Sequence, residues 1–136
     1  LLSILLVMVV FPTLIRPTIA ALRTDAERGV VDAMFRLSER LCERPDCSFD
    51  GSDWDGPQSL RWLKAAAEVG HPAAMFRLGK DYERGDGIPR DLRAAYYWIR
   101  RAEVVGVTIA REEACEIGRM LDPEVRREVD RGLGMR

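Results

Sequence analysis

The sequence is poor in the side chains that most enzymes and metal sites depend on. It has one histidine, His71, and three cysteines in 136 residues. A lone histidine argues against histidine-based catalysis, because nucleophilic catalysis needs a base, a nucleophile and an orienting acid together. We therefore expect a non-enzymatic protein without a cofactor. A small hydrolase that depends on His71 is the least favoured alternative.

Neither sign of charge is in excess. The chain carries 21 Lys and Arg residues against 22 Asp and Glu residues, a formal net charge of −1. A dedicated nucleic-acid-binding protein would gather a basic excess on one face, so we do not expect nucleic acid as a partner. Apolar residues make up 47% and charged residues 32%, which is typical of a globular protein.

The chain begins with an apolar segment. Residues 1–15 read LLSILLVMVVFPTLI and contain no charge. As a helix they would rise about 22 Å, less than the roughly 30 Å of a bilayer's hydrocarbon core. This length favours a cleaved export signal, with cleavage after Ala20 or Ala21. We therefore predict that residues 1–21 are a signal peptide or an N-terminal hydrophobic anchor. The protein would then be periplasmic or secreted, or alternatively tethered to a membrane through residues 1–15.

The rest of the chain contains an internal repeat. Residues 33–37 and 74–78 both read AMFRL, 41 positions apart. Trp62 and Trp98 open two similar alanine-rich segments that lie 36 positions apart. The natural period is therefore 36, and the first unit has five extra residues. This period is typical of helix pairs that bury a shared core only when they stack.

Each unit reads as two helices. In the second unit, helix A runs from about Pro72 to Tyr82, and the Gly85-Asp-Gly87 turn ends it. Asp91 is placed to cap helix B. Helical spacing puts the core faces of the two helices at the following positions: Ala74, Leu78 and Tyr82 on helix A, and Leu92, Ala95, Trp98, Ile99 and Ala102 on helix B. Trp98 is expected to fill the volume that the alanines leave.

The repeat predicts the domain organisation. The units span about residues 30–70 and 71–106, followed by an eroded unit over 107–121. Residues 122–136 form a polar helix and tail, with Asp122 as N-cap and proline at the first helical position. A polar terminal helix is typical of a cap over an exposed repeat end.

These residues resemble the Sel1-like repeat family, a group of helix-pair solenoids related to tetratricopeptide arrays. The second unit carries the pattern nearly in full, and the first unit shares its tryptophan and an alanine. The matching positions are Gly70, Ala74, Leu78, Gly79, Tyr82, Gly85, Gly87, Ile88, Asp91, Ala95, Trp98 and Ala102, with Trp62 and Ala66 in the first unit. The first unit departs from the pattern at Ser38, Leu41, Phe49 and Ser59.

The resemblance covers about residues 25–121. It implies an all-α fold, an α–α superhelix of about two and a half Sel1-like repeats with a C-terminal capping helix. It also implies a protein–protein interaction scaffold or adaptor of the bacterial cell envelope. A membrane-anchored signalling regulator or assembly factor is the alternative.

The five extra residues of the first unit bring two cysteines together. The extra residues lie between Leu41 and Phe49. In this stretch Cys42 and Cys47 are separated by four residues, one of them a proline. In an exported protein we expect a Cys42–Cys47 disulfide; two unpaired thiols in a solvated loop are the alternative. A metal is not expected, because this pair lacks two further ligands. Cys115 is predicted to be a small, partly buried hydrophobe.

Five residues are candidates for partner contact. Arg36, Arg77 and Lys80 lie on the A helices, which line the concave face if the superhelix resembles the family. Tyr96 and Tyr97 occupy positions that differ between the two units. Exposed amphipathic side chains on a fixed scaffold are suited to binding. Partial burial of the tyrosines and a solvated charged face are the competing interpretations.

Overall fold

In the computed structural model, residues 17–42 and 56–135 are described, and their regular structure is entirely helical. The seven helices of these ranges are α1 (Ile19–Glu27), α2 (Val31–Leu41), α3 (Gly56–Val69), α4 (Pro72–Arg84), α5 (Leu92–Val104), α6 (Ala110–Met120) and α7 (Pro123–Gly132). None of them has the length and apolar character needed to cross a membrane. The predicted signal or anchor segment lies almost wholly outside the described residues.

The helices form a solenoid of pairs. From α1 to α6, each helix packs against the next one along the chain, and α7 packs against α5. We call α2, α4 and α6 the A helices, since each opens a unit; α3 and α5 are the B helices that follow. The all-α superhelix predicted from the sequence is confirmed. Two complete pairs, α2–α3 and α4–α5, fall within the predicted units over 30–70 and 71–106.

Side chains at the helix starts accept the backbone N–H groups that have no partner within the helix. The hydrogen bonds are Thr18 Oγ1 from the amide of Ala21 (3.2 Å), His71 Nδ1 from Ala74 (3.2 Å), Asp91 Oδ1 from Arg93 (2.9 Å) and Ala94 (3.0 Å), and Asp122 Oδ1 from Glu124 (2.8 Å). The predicted caps at Asp91 and Asp122 are confirmed. At its other end, α4 stops at Gly85, whose φ of 81° suits glycine.

Small residues let the helices of a pair approach closely. The repeat alanines Ala66, Ala74, Ala95 and Ala102 are fully buried, as is Leu78. At Gly79 a Cβ atom would clash with the side chain of Ile99 and lie 3.2 Å from the carbonyl oxygen of Ala95. Glycine is therefore required where α4 meets α5.

The tryptophans have a smaller role in the interior than predicted. Trp62 and Trp98 pack against the core but remain partly exposed. The largest fully enclosed side chains are instead Leu37, Met75, Leu78, Ile99 and Ile117. The Arg101 guanidinium lies 5.0 Å from the centre of the Trp98 ring, so the indole forms the outer edge of the core beneath a cation.

The prediction for Cys115 is wrong, and of the two interpretations of Tyr96 the structure supports burial. Cys115 is exposed, because the buried face of α6 passes through its neighbour Ala114 and through Ile117. Tyr96 is a core residue with 4% exposure, not a surface contact. Its hydroxyl oxygen lies 3.0 Å from Asp130 Oδ1, which ties α5 to α7.

Candidate partner-binding groove

The A helices and the loop after α4 line an open groove of about 810 Å³, which we call the A-helix groove. Its apolar lining is Phe35 from α2, Ala73 and Phe76 from α4, and Ile109 at the start of α6. Ile109 is 58% exposed. The groove thus presents apolar side chains to solvent beside charged ones, the combination found in protein interfaces.

Lys80 links two walls of the groove. Its ammonium lies 2.7 Å from Glu113 Oε2 on α6 and 2.5 Å from Glu83 Oε2 on α4. Burial disfavours the charged form of Lys80, but the hydrogen bonds and charges of Glu113 and Glu83 outweigh burial and raise its pKa. The cation is therefore held as a bridge between neighbouring A helices.

Asp81 and Arg77 form a second charged pair at the end of α4. Arg77 Nε lies 3.7 Å from Asp81 Oδ1. Burial raises the pKa of Asp81 to about 6, and the nearby Asp86 carboxylate adds to this, while Arg77 and Arg84 oppose it. The groove thus contains a carboxylate that titrates close to neutral pH.

The structure separates the five candidate contact residues. Arg77 and Lys80 line the A-helix groove. Arg36 is exposed on α2 but outside this lining, and it pairs with Asp32 at 2.9 Å. Tyr97 is 36% exposed and lines a different, smaller depression between α5 and α7. With Tyr96 in the core, only two of the five lie in the groove.

Sequence reasoning missed the aromatic lining of the groove. Phe35 and Phe76 occupy the same position in the AMFRL segments of the two units. Phe35 stacks on the His71 ring at 4.6 Å, and His71 also caps α4. The signal in the sequence was a phenylalanine that recurs in both units next to the buried face of the A helix. Because it is not part of that face, it could have been assigned to the groove.

One of the two paired-cysteine positions is described. Cys42 ends α2, is buried, and its sulfur lies 3.8 Å from Arg77 Nη2. Cys47 lies outside the described residues, so the Cys42–Cys47 disulfide stays a prediction. Across residues 17–42 and 56–135, no group of three or more His, Cys, Asp or Glu side chains is arranged to hold a metal ion.

Stacked helix pairs with an open groove along one set of helices define the class of α-solenoid repeat proteins. The family model for the Sel1 repeat matches residues 31–71 and 72–103, more than half of the chain, so the protein belongs to the Sel1 repeat family. The resemblance noted from the sequence is confirmed. Sel1 repeats typically form protein–protein interaction scaffolds, and proteins built from them are generally non-enzymatic.

Individual proteins show the same likeness. A Sel1 repeat protein from Oxalobacter formigenes is 30% identical, with a TM-score of 0.63 over 79% of this chain and 81% of that one. The c5321 protective antigen of uropathogenic Escherichia coli displays an SLR fold; it is 23% identical, with a TM-score of 0.68 over 82% of this chain. The chitin synthase regulator SKT5 of Saccharomyces cerevisiae is 38% identical over 48 residues, 35% of this chain. The chain spans 23% of the antigen and 7% of the regulator.

Proposed function

We propose that this protein is a non-enzymatic adaptor that binds a partner protein in the A-helix groove. The observation that carries the proposal is the combination of exposed apolar side chains, above all Ile109, with charged groups from three consecutive A helices in one open groove. Buried aromatic or aliphatic anchors surrounded by polar groups supply most of the binding energy in protein interfaces.

Contacts within the chain hold the walls of the groove together. Lys80 joins α4 to α6 through Glu113, and close packing at Gly79 fixes α4 against α5. A rigid site loses little conformational freedom when it binds, so a modest contact area can still give useful affinity. The described chain offers three A helices to a partner, and we expect affinities in the micromolar range, about 1–100 μM.

Matched serine substitutions test the site. Ile109→Ser removes the exposed anchor of the groove, whereas Val69→Ser removes a similarly exposed apolar side chain at the end of α3. In capture experiments from a cell-envelope extract, we expect Ile109→Ser to reduce partner recovery about tenfold and Val69→Ser to leave it unchanged. Equal recovery by both variants would show that the groove is not the binding site.

The envelope location is part of the proposal. It is supported by the uncharged apolar run over residues 1–15 and by the spacing of Cys42 and Cys47, which suits a disulfide in an oxidising compartment. Thiol counting on the unfolded, unreduced protein tests the pairing. One reactive thiol, from Cys115, supports the disulfide; three reactive thiols would contradict it.

A membrane-anchored regulator or assembly factor is the second candidate, and one structural feature favours it. α1 begins at Ile19 under the Thr18 cap, so cleavage after Ala20 would cut its first turn and remove that cap. The regulator named among the relatives has the same type of role, though this chain spans only 7% of it. N-terminal sequencing of the protein recovered from the whole cell envelope and the medium separates the candidates: an intact segment before Thr18 supports the anchor, and an end at Ala21 or Leu22 supports export.

A further inference from the structure

Some charged side chains of the A-helix groove form ion pairs within the chain, and others do not. Lys80 already pairs with Glu83 and Glu113, and Arg77 lies 3.7 Å from Asp81. Among the described residues, Glu39 on α2 and Asp86 in the loop after α4 line the groove without an ion-pair partner. The two carboxylates that remain available to a ligand also line one small cavity with Arg77 and Asp81, so they lie near one another.

The remaining cation of the groove does not reverse this balance. Arg84 is exposed at the end of α4 and acts electrostatically on Asp81, whose pKa it lowers against the larger effect of burial. An anionic ligand would have to approach Glu39, Asp86 and Glu113. A cationic ligand could pair with Glu39 and Asp86 and leave the existing ion pairs intact.

Apolar surface lies in the same groove as these carboxylates. Phe76 is partly buried in the groove, and Ile109 projects into solvent at its α6 side. A ligand that is only charged would leave this apolar surface exposed to water. A ligand that is only apolar would bury the carboxylates without a partner, which costs free energy. The favoured ligand has both features.

We propose that the A-helix groove selects a cationic peptide segment of its partner, in which Lys or Arg side chains lie beside an aliphatic or aromatic anchor. The proposal rests on the proposed function and adds the chemistry of the partner. The anchor covers Phe76 and Ile109, and the cations pair with Glu39 and Asp86. Like-charge contact with the same carboxylates rejects acidic segments.

Three fluorescein-labelled octapeptides test the proposal by anisotropy with the full chain: alternating Leu and Lys, alternating Leu and Glu, and alternating Ser and Lys. We expect the Leu/Lys peptide to bind at least about tenfold more tightly than either of the others at low salt, and the difference to shrink as salt screens the charges. Equal or tighter binding of the Leu/Glu peptide overturns the proposal. So does the absence of Leu/Lys binding at a concentration of about 1 mM.

Neutral variants locate the contact. The double change Glu39→Gln with Asp86→Asn is expected to weaken Leu/Lys binding about tenfold, while Glu68→Gln on the exposed surface of α3 leaves it unchanged. Equal loss in both variants would indicate a non-specific charge effect and overturn the proposal. A dimer in sedimentation that Ile109→Ser converts to monomer would assign the groove to a second copy of the chain, which also overturns it.

The same variants distinguish this proposal from the proposed function. If the native partner is lost with Ile109→Ser but retained with Glu39→Gln plus Asp86→Asn, the groove binds a partner and the cationic chemistry is wrong. If the native partner is retained with Ile109→Ser, the proposed function itself is wrong.

Discussion

The hydroxyl of Ser59 on α3 donates a 2.8 Å hydrogen bond to the backbone carbonyl of Ser38 on α2. In the repeat these positions correspond to Ala95 and Gly79, where the two helices approach so closely that only glycine fits. Ser38 Oγ in turn donates to the Phe35 carbonyl at 2.7 Å. One departure of the first unit from the Sel1 pattern, Ser59, therefore adds a buried hydrogen bond that joins α3 to α2.

Ser59→Ala restores the pattern residue but removes that hydrogen bond. We expect the free energy of unfolding to fall by about 1 kcal/mol, because the Ser38 carbonyl then loses a buried donor. Urea denaturation measures the change. Thr24→Ala, which removes an exposed hydroxyl from α1, is the control and should change the stability by less than about 0.5 kcal/mol. A gain in stability for Ser59→Ala would contradict a stabilising role for this hydrogen bond.

Gly79→Ala tests the close approach of α4 and α5. The added Cβ would meet Ile99 and the Ala95 carbonyl, so we expect a loss of about 1–3 kcal/mol from overpacking. Gly132→Ala in α7 is the matched control: no atom lies within 4 Å of its added Cβ, and alanine is the better helix former. The control should therefore be neutral or stabilising in thermal unfolding. An unchanged stability for Gly79→Ala would mean that α4 and α5 pack less closely than the structure shows.

Tyr96→Phe tests the attachment of α7 to α5. The change removes the hydroxyl beside Asp130 while keeping the buried ring, and should cost about 1–2 kcal/mol. Tyr97→Phe, at an exposed position, should cost nothing measurable. Burial, with the Asp130 hydrogen bond, raises the pKa of Tyr96 to about 12. Ultraviolet titration should therefore show one tyrosine that ionises late in the wild type and is absent from Tyr96→Phe.

Asp81→Asn should alter the pH dependence of stability. The pKa of Asp81 in the folded protein is about 6, above its ordinary value of 3.8, mainly because burial disfavours the carboxylate. The folded state then binds the proton more tightly, so the ionised group costs stability above pH 6 and the cost disappears as the pH falls from 6 towards 3.8. We expect Asp81→Asn to gain about 1–2 kcal/mol at about pH 8 and much less at about pH 4.

Denaturation at the two pH values checks this prediction, with Glu68→Gln on the exposed surface of α3 as the control. The control should show the same small effect at both. A gain for Asp81→Asn that is larger in acid than in base would contradict the burial of Asp81.

The sequence was sufficient for the features that local chemistry decides. Asp91 and Asp122 precede helices because a carboxylate can accept the free backbone N–H groups of the first turn. The repeated alanines and Gly79 follow from two helices that must approach closely. These positions follow from helix geometry and from the period of the repeat, and both can be recognised in the sequence.

The burial of Tyr96, the exposure of Cys115 and the composition of the groove could not be predicted from the sequence, because they depend on how the helices pack against one another. Tyr96 is buried because α7 packs against α5 and supplies Asp130, a contact between residues 34 positions apart. Cys115 is exposed because α6 is rotated to bury Ala114 and Ile117. The A-helix groove joins Phe35 on α2 with Ile109 on α6, two residues that no local pattern brings together.

Site-specific photocrosslinking inside the cell is the most direct test of partner binding in the A-helix groove. A photoreactive phenylalanine analogue placed at Ile109 lies in the A-helix groove, and the same analogue placed at Val69 lies outside it, at a similarly exposed apolar position. We expect a discrete crosslinked protein species from position 109 and none from position 69. A crosslink from position 69 alone would contradict the assignment of the groove as the site where this Sel1 repeat protein holds its partner.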